Sequence, residues 1–174
     1  MSGLYPDAHL DTAQVSPSDA AVTLRSLARR YTSALVVPGE DAHPDDLFHR
    51  RPAPAQLSAI EHAVCAAGGL GALGVALRQA LVEDDPAVEV PPLSAPPPVP
   101  GGGMEAADAV ARVGDAGGAL AEVIERTPGT EWSRPAHAGA TRLSALDIVR
   151  GAVELSIHHL RAIERTIADV ARGV

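Results

Sequence analysis

Residues 151–167 read GAVELSIHHLRAIERTI, and this stretch decides the fold. Turned at 100° per residue, its apolar side chains gather on one face. With the flanking residues, Val149, Ala152, Val153, Ser156, Leu160, Ile163, Ile167 and Val170 form one stripe. Arg150, Glu154, Arg161, Glu164 and Arg165 form the opposite one. An apolar arc of this width predicts a long helix with one buried side. His159 falls inside the arc, near Leu155 and Ile163, and His158 falls at its polar edge, beside Glu154 and Arg165. The wheel therefore points His159 inward and makes His158 and Glu154 an exposed i,i+4 pair, worth a few tenths of a kcal/mol.

Working backwards, Ser144 caps this helix, which is expected from Ala145 to about Arg172. Before it, TPGTEWSRPAHAGATRL is a loop carrying the only tryptophan, Trp132, and MEAADAVARVGDAGGALAEVIERT is a third helix. Residues 84–103, DDPAVEVPPLSAPPPVPGGG, have polyproline character and form an extended crossover. A second helix is expected from about Pro54 through LSAIEHAVCAAGGLGALGVALRQALVE. The apolar period holds at Leu70, Leu73, Leu77 and Leu81 across glycines 68, 69, 71 and 74, so it is read as one helix despite a cost of about 1 kcal/mol for each glycine. Ser16-Pro17 opens a first helix running to about Leu35, after a flexible segment 1–15. VVPGEDAHPDDLFHRRPAPAQ is a long connection whose acidic DAHPDD, with His43 and Asp45, is read as solvated. No segment competes as a strand. The fold expected is all-α: one four-helix bundle spanning 1–174, with its Pro/Gly-rich crossover between helices two and three and its sites between facing helices.

Composition agrees. The 174 residues suffice for one domain with a core. Hydrophobic residues reach 46% but aromatics only 2%, so the core must be aliphatic and closely packed, which suits helices. All 14 basic residues are Arg, as in the GC-rich genomes of actinobacteria. A net charge of −8 without a basic patch argues against nucleic-acid binding. A single cysteine, Cys65, excludes an internal disulfide and, with no signal-peptide pattern at the N-terminus, leads to a cytoplasmic expectation. No uninterrupted apolar run approaches the ~18 residues of a membrane span.

Two segments then resemble the DinB superfamily, the four-helix group that includes mycothiol-dependent maleylpyruvate isomerase-like and bacillithiol transferase-like proteins. RRPAPAQLSAIEHAVCAAGG, residues 50–69, is similar to that family's entry into its second helix. EWSRPAHAGATRLSALDIVRGAVELSIHHLRAI, residues 131–163, is similar to its Trp loop and final histidine-bearing helix. Together they cover under a third of the chain. The family's metal triad joins one histidine on the second helix to a His-x3-His pair on the last. Its final histidine maps to His159, the partner four residues earlier to Leu155, and the helix-two histidine to Cys65, with His62 one turn before it. The Arg-Asp pair found in some relatives maps to Ala67-Gly68. Two of three ligands are thus changed.

The resemblance implies a diverged small-molecule enzyme, of transferase or isomerase type and recruited to specialised metabolite biosynthesis, using an inter-helix pocket centred on His159. His159, His62 and Cys65 are its candidate catalytic groups: an inward histidine titrating near neutrality, and a thiol activated if a histidine lowers its pKa. Trp132, Leu155, Arg50 and Arg51 are the candidate substrate contacts. No resident metal is expected. If zinc or nickel is held, Cys65 and His159 would bind it with Glu154 or His158, or His62, Glu154 and His158 would do so together, and a low-molecular-weight thiol would be the co-substrate of an S-transferase. The competing readings are a metal-free binding module, a homodimer packed through the Gly/Ala-rich second helix, and a structural remnant with Leu155 and Trp132 filling the bundle centre.

Overall fold

The computed structural model describes residues 4, 5, 8, 10–35, 44–93 and 103–173, without the side chains of 44–46. Residues 94–102 of the Pro/Gly-rich crossover and residues 36–43 of the first loop, with His43, lie outside the described residues, as does the side chain of Asp45.

Four helical rods form the bundle. The first is split into α1, Pro17–Arg25, and α2, Leu27–Ala34. Ser16 caps α1 as its sequence predicts, in a reciprocal box with Asp19. The single helix expected through Leu35 is interrupted at Ser26, whose hydroxyl donates to the Thr23 carbonyl at 2.6 Å. Short helix α3, Pro44–His49, falls where an irregular connection was expected, and its Phe48 is buried. Helix α4, Ala59–Val82, begins later than Pro54. Its cap is Ser58, boxed with Glu61, so the S-x-x-E signature four residues downstream outweighs the proline. Helix α5 spans Ala106–Arg126 and α6 spans Ala145–Arg172, with Ser144 capping α6.

Around the bundle, α4 packs against both α5 and α6, while the α1–α2 rod closes the other side against the same two helices. Leu24, Leu27, Leu70, Leu73, Leu77, Leu120, Ile148 and Ile163 fill the centre with aliphatic chains. Tyr31 is also fully buried, its hydroxyl donating to the Ser156 carbonyl at 2.7 Å. Small residues let the rods approach. A Cβ on Gly117 would lie 2.8 Å from the Leu24 carbonyl oxygen, and one on Gly69 would lie 2.6 Å from Leu155 Cδ1. Helix α4 has 24 residues, and an 18-residue stretch of it reaches a mean hydropathy of 1.5, long and apolar enough to cross a membrane by length and composition. Just over half of that stretch is buried inside the bundle, including Ala63, Ala66 and Leu70.

Two further features depart from the sequence reading. The first is a β-hairpin in the loop before α6: β1, Pro135–Ala138, pairs antiparallel with β2, Thr141–Ser144. Gly139 opens its two-residue turn at φ 57°, a conformation glycine reaches without steric cost. Residues 86–88 add a short parallel bridge, Val88 N–H donating to the His137 carbonyl at 2.9 Å. The strands are four residues each, too short for a period-2 signal to stand out.

The second is the N-terminal segment, expected to be flexible. Tyr5, Ala8 and Thr12 are buried. Tyr5 N–H donates to Glu154 Oε2 at 2.9 Å, and the Thr12 hydroxyl donates to Glu154 Oε1. Glu154, placed outward by the helical wheel, is fully buried as a result. Leu4 lies over Gly151, where a Cβ would come within 2.2 Å of it, and Arg150 Nε donates to the Val15 carbonyl at 3.1 Å. The polar face of α6 is therefore covered at this level by the chain's own beginning. A wheel drawn for one helix cannot anticipate a strap that arrives from 140 residues away.

Candidate functional site

The inward placement of His159 holds: it is 1% exposed, in the middle of α6. Across from it, near the start of α4, stands His62. Their Nδ1 atoms are 3.2 Å apart and their ring centroids 5.4 Å. Between two neutral imidazoles this contact is a hydrogen bond, one Nδ1–H donating to the bare Nδ1 of the other, so the two rings hold opposite tautomers. The antiparallel run of α4 against α6 sets the pair, and Gly69 opposite Leu155 lets the helices come close enough, two turns along, to make it.

The pair borders a cavity of about 310 Å³ at one end of the bundle. Its walls are Ala55, Gln56 and Leu57 from the approach to α4, His62 from α4 itself, Leu93 from the crossover, and His158, Ala162, Arg165, Thr166 and Asp169 from α6. Of the pair, His62 is thus the one that faces the cavity, and His159 stands behind it. His62 has its Nδ1 engaged, which leaves Nε2 for a bound molecule, as a lone pair or as an N–H according to tautomer. His158 is a third imidazole on the wall, its ring edge-on to His159 at 5.3 Å. The predicted pairing of His158 with Glu154 on an exposed face does not form, because Glu154 is held by Tyr5 and Thr12.

Burial sets the protonation of this cluster. Desolvation first, and then the charge of a protonated His158 and of Arg165, pushes His62 down to about 4. His159, more deeply buried, is pushed down to about 3 by desolvation and by its two histidine neighbours. His158 is lowered by desolvation and by Arg165. The expectation that His159 titrates near neutrality is therefore corrected: both rings of the pair are neutral at pH 7. A depressed folded-state pKa means the unfolded chain binds more protons between that value and ~6.5, so stability is complete above ~6.5 and lost as pH falls toward 4. Each histidine contributes at most about 1.4 kcal/mol per pH unit across its window. Glu61, held below the usual carboxyl range by Arg51 and Ser58 despite burial, loses its contribution only below ~4.5. Thermal midpoints measured between pH 7 and 4.5 should accordingly fall with pH, and His159→Gln should flatten that slope.

The remaining predicted residues do not converge on the cavity. Burial, and secondarily Glu61, raises the Cys65 thiol to about 11, so neither histidine activates it, and Cys65 is absent from the cavity wall. Leu155 is 1% exposed and packed on Gly69, a core residue rather than a substrate contact. Arg51 grips Glu61, with Nε donating to Oε2 at 2.8 Å, and so braces the cap of α4, while Arg50 is exposed away from the wall. Trp132 lies in a 3-10 turn, Gly129–Ser133, followed by Arg134, which donates to the Ala80 and Glu83 carbonyls at 2.9 Å each. That anchors the Trp loop at the far end of α4, about 27 Å along the helix from His62. Sequence reading missed Gln56, Arg165, Thr166 and Asp169. The spacing of His158, Ala162, Arg165, Thr166 and Asp169, at i, i+4, i+7, i+8 and i+11, was the signal: one continuous strip of α6 beside the apolar stripe.

The metal centre implied by the family resemblance can be tested against these donors. Two nitrogens 3.2 Å apart would suit two legs of a tetrahedral zinc centre with ~2.0–2.1 Å bonds, but a catalytic site takes three protein ligands. Among the described residues no group of three His, Cys, Asp or Glu gathers to hold an ion. The position four before His159 is Leu155, and the carboxyl of Glu154 is occupied by the N-terminal strap. These residues do not fit a three-ligand metal centre.

No protein-family model matches the sequence, and no curated protein matches it. Among solved structures, the chain is similar to YfiT from Bacillus subtilis, described as a probable metal-dependent hydrolase with an unusual four-helix bundle topology. The TM-score is 0.72 at 11% identity, covering 91% of this chain and 89% of that one. The likeness shows the fold, a four-helix bundle. At this identity the likeness concerns the path of the chain and not its chemistry.

Proposed function

We propose that this chain is a diverged DinB-like enzyme acting on a small molecule in the cavity beside His62, with transfer or isomerisation as its reaction type. The observation that carries the reading is the His62–His159 pair at the cavity wall, a buried imidazole orienting an accessible one. At pH 7 the neutral His62 presents Nε2 to the cavity, where it accepts a proton from, or gives one to, a bound molecule. His159 holds the ring and its tautomer through Nδ1, the role a buried hydrogen-bond partner plays for a working histidine. Leu57, Leu93 and Ala162 supply apolar walls that limit water, and Gln56 and Thr166 supply polar contacts for orientation. His62 is the catalytic residue of this scheme and His159 its positioning residue. Cys65 has no part in it.

Hydrolysis is the second reading, favoured by the likeness to a protein described as a probable metal-dependent hydrolase. The donor set separates the two. The chelator-treated protein is to be assayed on a panel of isomerisable and electrophilic small molecules, with and without a low-molecular-weight thiol, beside activated esters. Zinc and nickel are titrated into the wild type and His159→Ala in parallel. The expected result is turnover that survives chelation and no stoichiometric metal binding. One equivalent of zinc bound by the wild type and lost in His159→Ala, with activity following the metal, would replace this reading with the metal-dependent one.

A further inference from the structure

Arg165 is the cation on the cavity wall, and it is exposed there. Among the described residues no carboxylate pairs with it. The acidic residue one turn along α6, Asp169, is the obvious i,i+4 partner, but it is taken by Arg172. Glu61, the acid nearest His62, is taken by Arg51. The guanidinium is close enough to His62 and His158 for its charge to hold both rings toward the neutral form. A cation in a cavity whose neighbouring carboxylates are all committed elsewhere is arranged to receive an anion from outside.

The number of charges on that anion follows from the rest of the wall. His62 and His158 add no positive charge at neutral pH, and the negative charge of Asp169 on the same wall is balanced by Arg172. One unbalanced guanidinium suits a singly charged group better than a phosphate dianion. Thr166 and Gln56 lie on the same wall, where a hydroxyl and an amide N–H can donate further hydrogen bonds to a planar carboxylate.

We propose that the cavity takes a small molecule bearing a single carboxylate, bound by Arg165, with the remainder of the molecule directed toward His62. This rests on the cavity being the ligand site, though not on any catalytic step. The test uses the full chain at pH 7 and fixed ionic strength, following the ring signals of His62 and His158 by NMR during titration with butyrate, butyramide and inorganic phosphate. Saturable shifts with butyrate, roughly tenfold weaker for butyramide and for Arg165→Gln, with Arg165→Lys between, are the expected results for a charge-assisted contact. Equal binding of butyramide, or butyrate binding unchanged in Arg165→Gln, overturns the anion assignment and leaves the cavity as a ligand site. Tighter binding of phosphate overturns the single-carboxylate assignment. No saturable shift from any of the three overturns the cavity itself as the site.

Discussion

Replacing His62 with glutamine is expected to lower kcat/KM by about 10²–10⁴-fold, the range that a positioned acid or base supplies. Glutamine keeps the length and hydrogen-bonding character of the side chain but cannot carry a proton between two states. The fold should survive, because His62 is only partly buried and lies at the edge of the aliphatic core. His159→Gln should behave differently. It removes the partner of Nδ1 rather than the group facing the cavity, so activity falls less and the acid limb of the pH–rate profile moves. A mere packing role for His159 would lower the thermal midpoint without moving that limb. Steady-state kinetics from pH 5 to 9, on the substrate found by the panel, distinguish the two.

Glu154→Ala carries the largest effect expected on stability. Its carboxyl group, fully buried, accepts from Tyr5 N–H and the Thr12 hydroxyl. Truncation leaves both donors unsatisfied beside a new cavity, at a cost of about 3 kcal/mol. The consequence extends further than α6, since the Tyr5 hydroxyl donates to the Pro91 carbonyl at 2.8 Å, two residues before Leu93 on the cavity wall. Losing the strap frees that part of the crossover as well. Glu154→Gln, which can still accept from Tyr5 and donate to Thr12, should cost less than about 1 kcal/mol. Urea unfolding of the three proteins gives the comparison directly, and equal midpoints for the Ala and Gln variants would contradict the hydrogen-bonding role.

How far the sequence could be read follows from which contacts are local. The caps at Ser16 and Ser144, the continuity of α4 through its glycines and the inward turn of His159 all depend on residues within one helix, and all were legible. Glu154 was not, because its burial depends on Tyr5 and Thr12 arriving from the other end of the chain. The hairpin at Pro135–Ser144 was hidden by strands of four residues, whose alternation is too brief to compete with a loop reading. The site was half legible. Mapping the family's ligand positions led to Leu155, which the fold buries against Gly69, and to the half-buried Cys65, off the cavity wall, whereas His62, one turn before Cys65, is the residue that meets His159. The cavity's own wall lies on the strip of α6 from His158 to Asp169, and there Arg165 is exposed, as the wheel placed it, while Asp169 and Glu61 are paired with other arginines.

The central claim is that His62 and His159 are a neutral, hydrogen-bonded pair at the cavity rather than two legs of a metal centre. Ring nitrogen shifts of the two histidines, followed by NMR from pH 8 to 4.5 in metal-free protein and again with one equivalent of zinc, test it most directly. Opposite tautomers that persist without protonation down to about pH 5, unchanged by zinc, are the predicted result. Titration of either ring near 6.5, or both Nδ1 signals moving together with stoichiometric zinc, would contradict it.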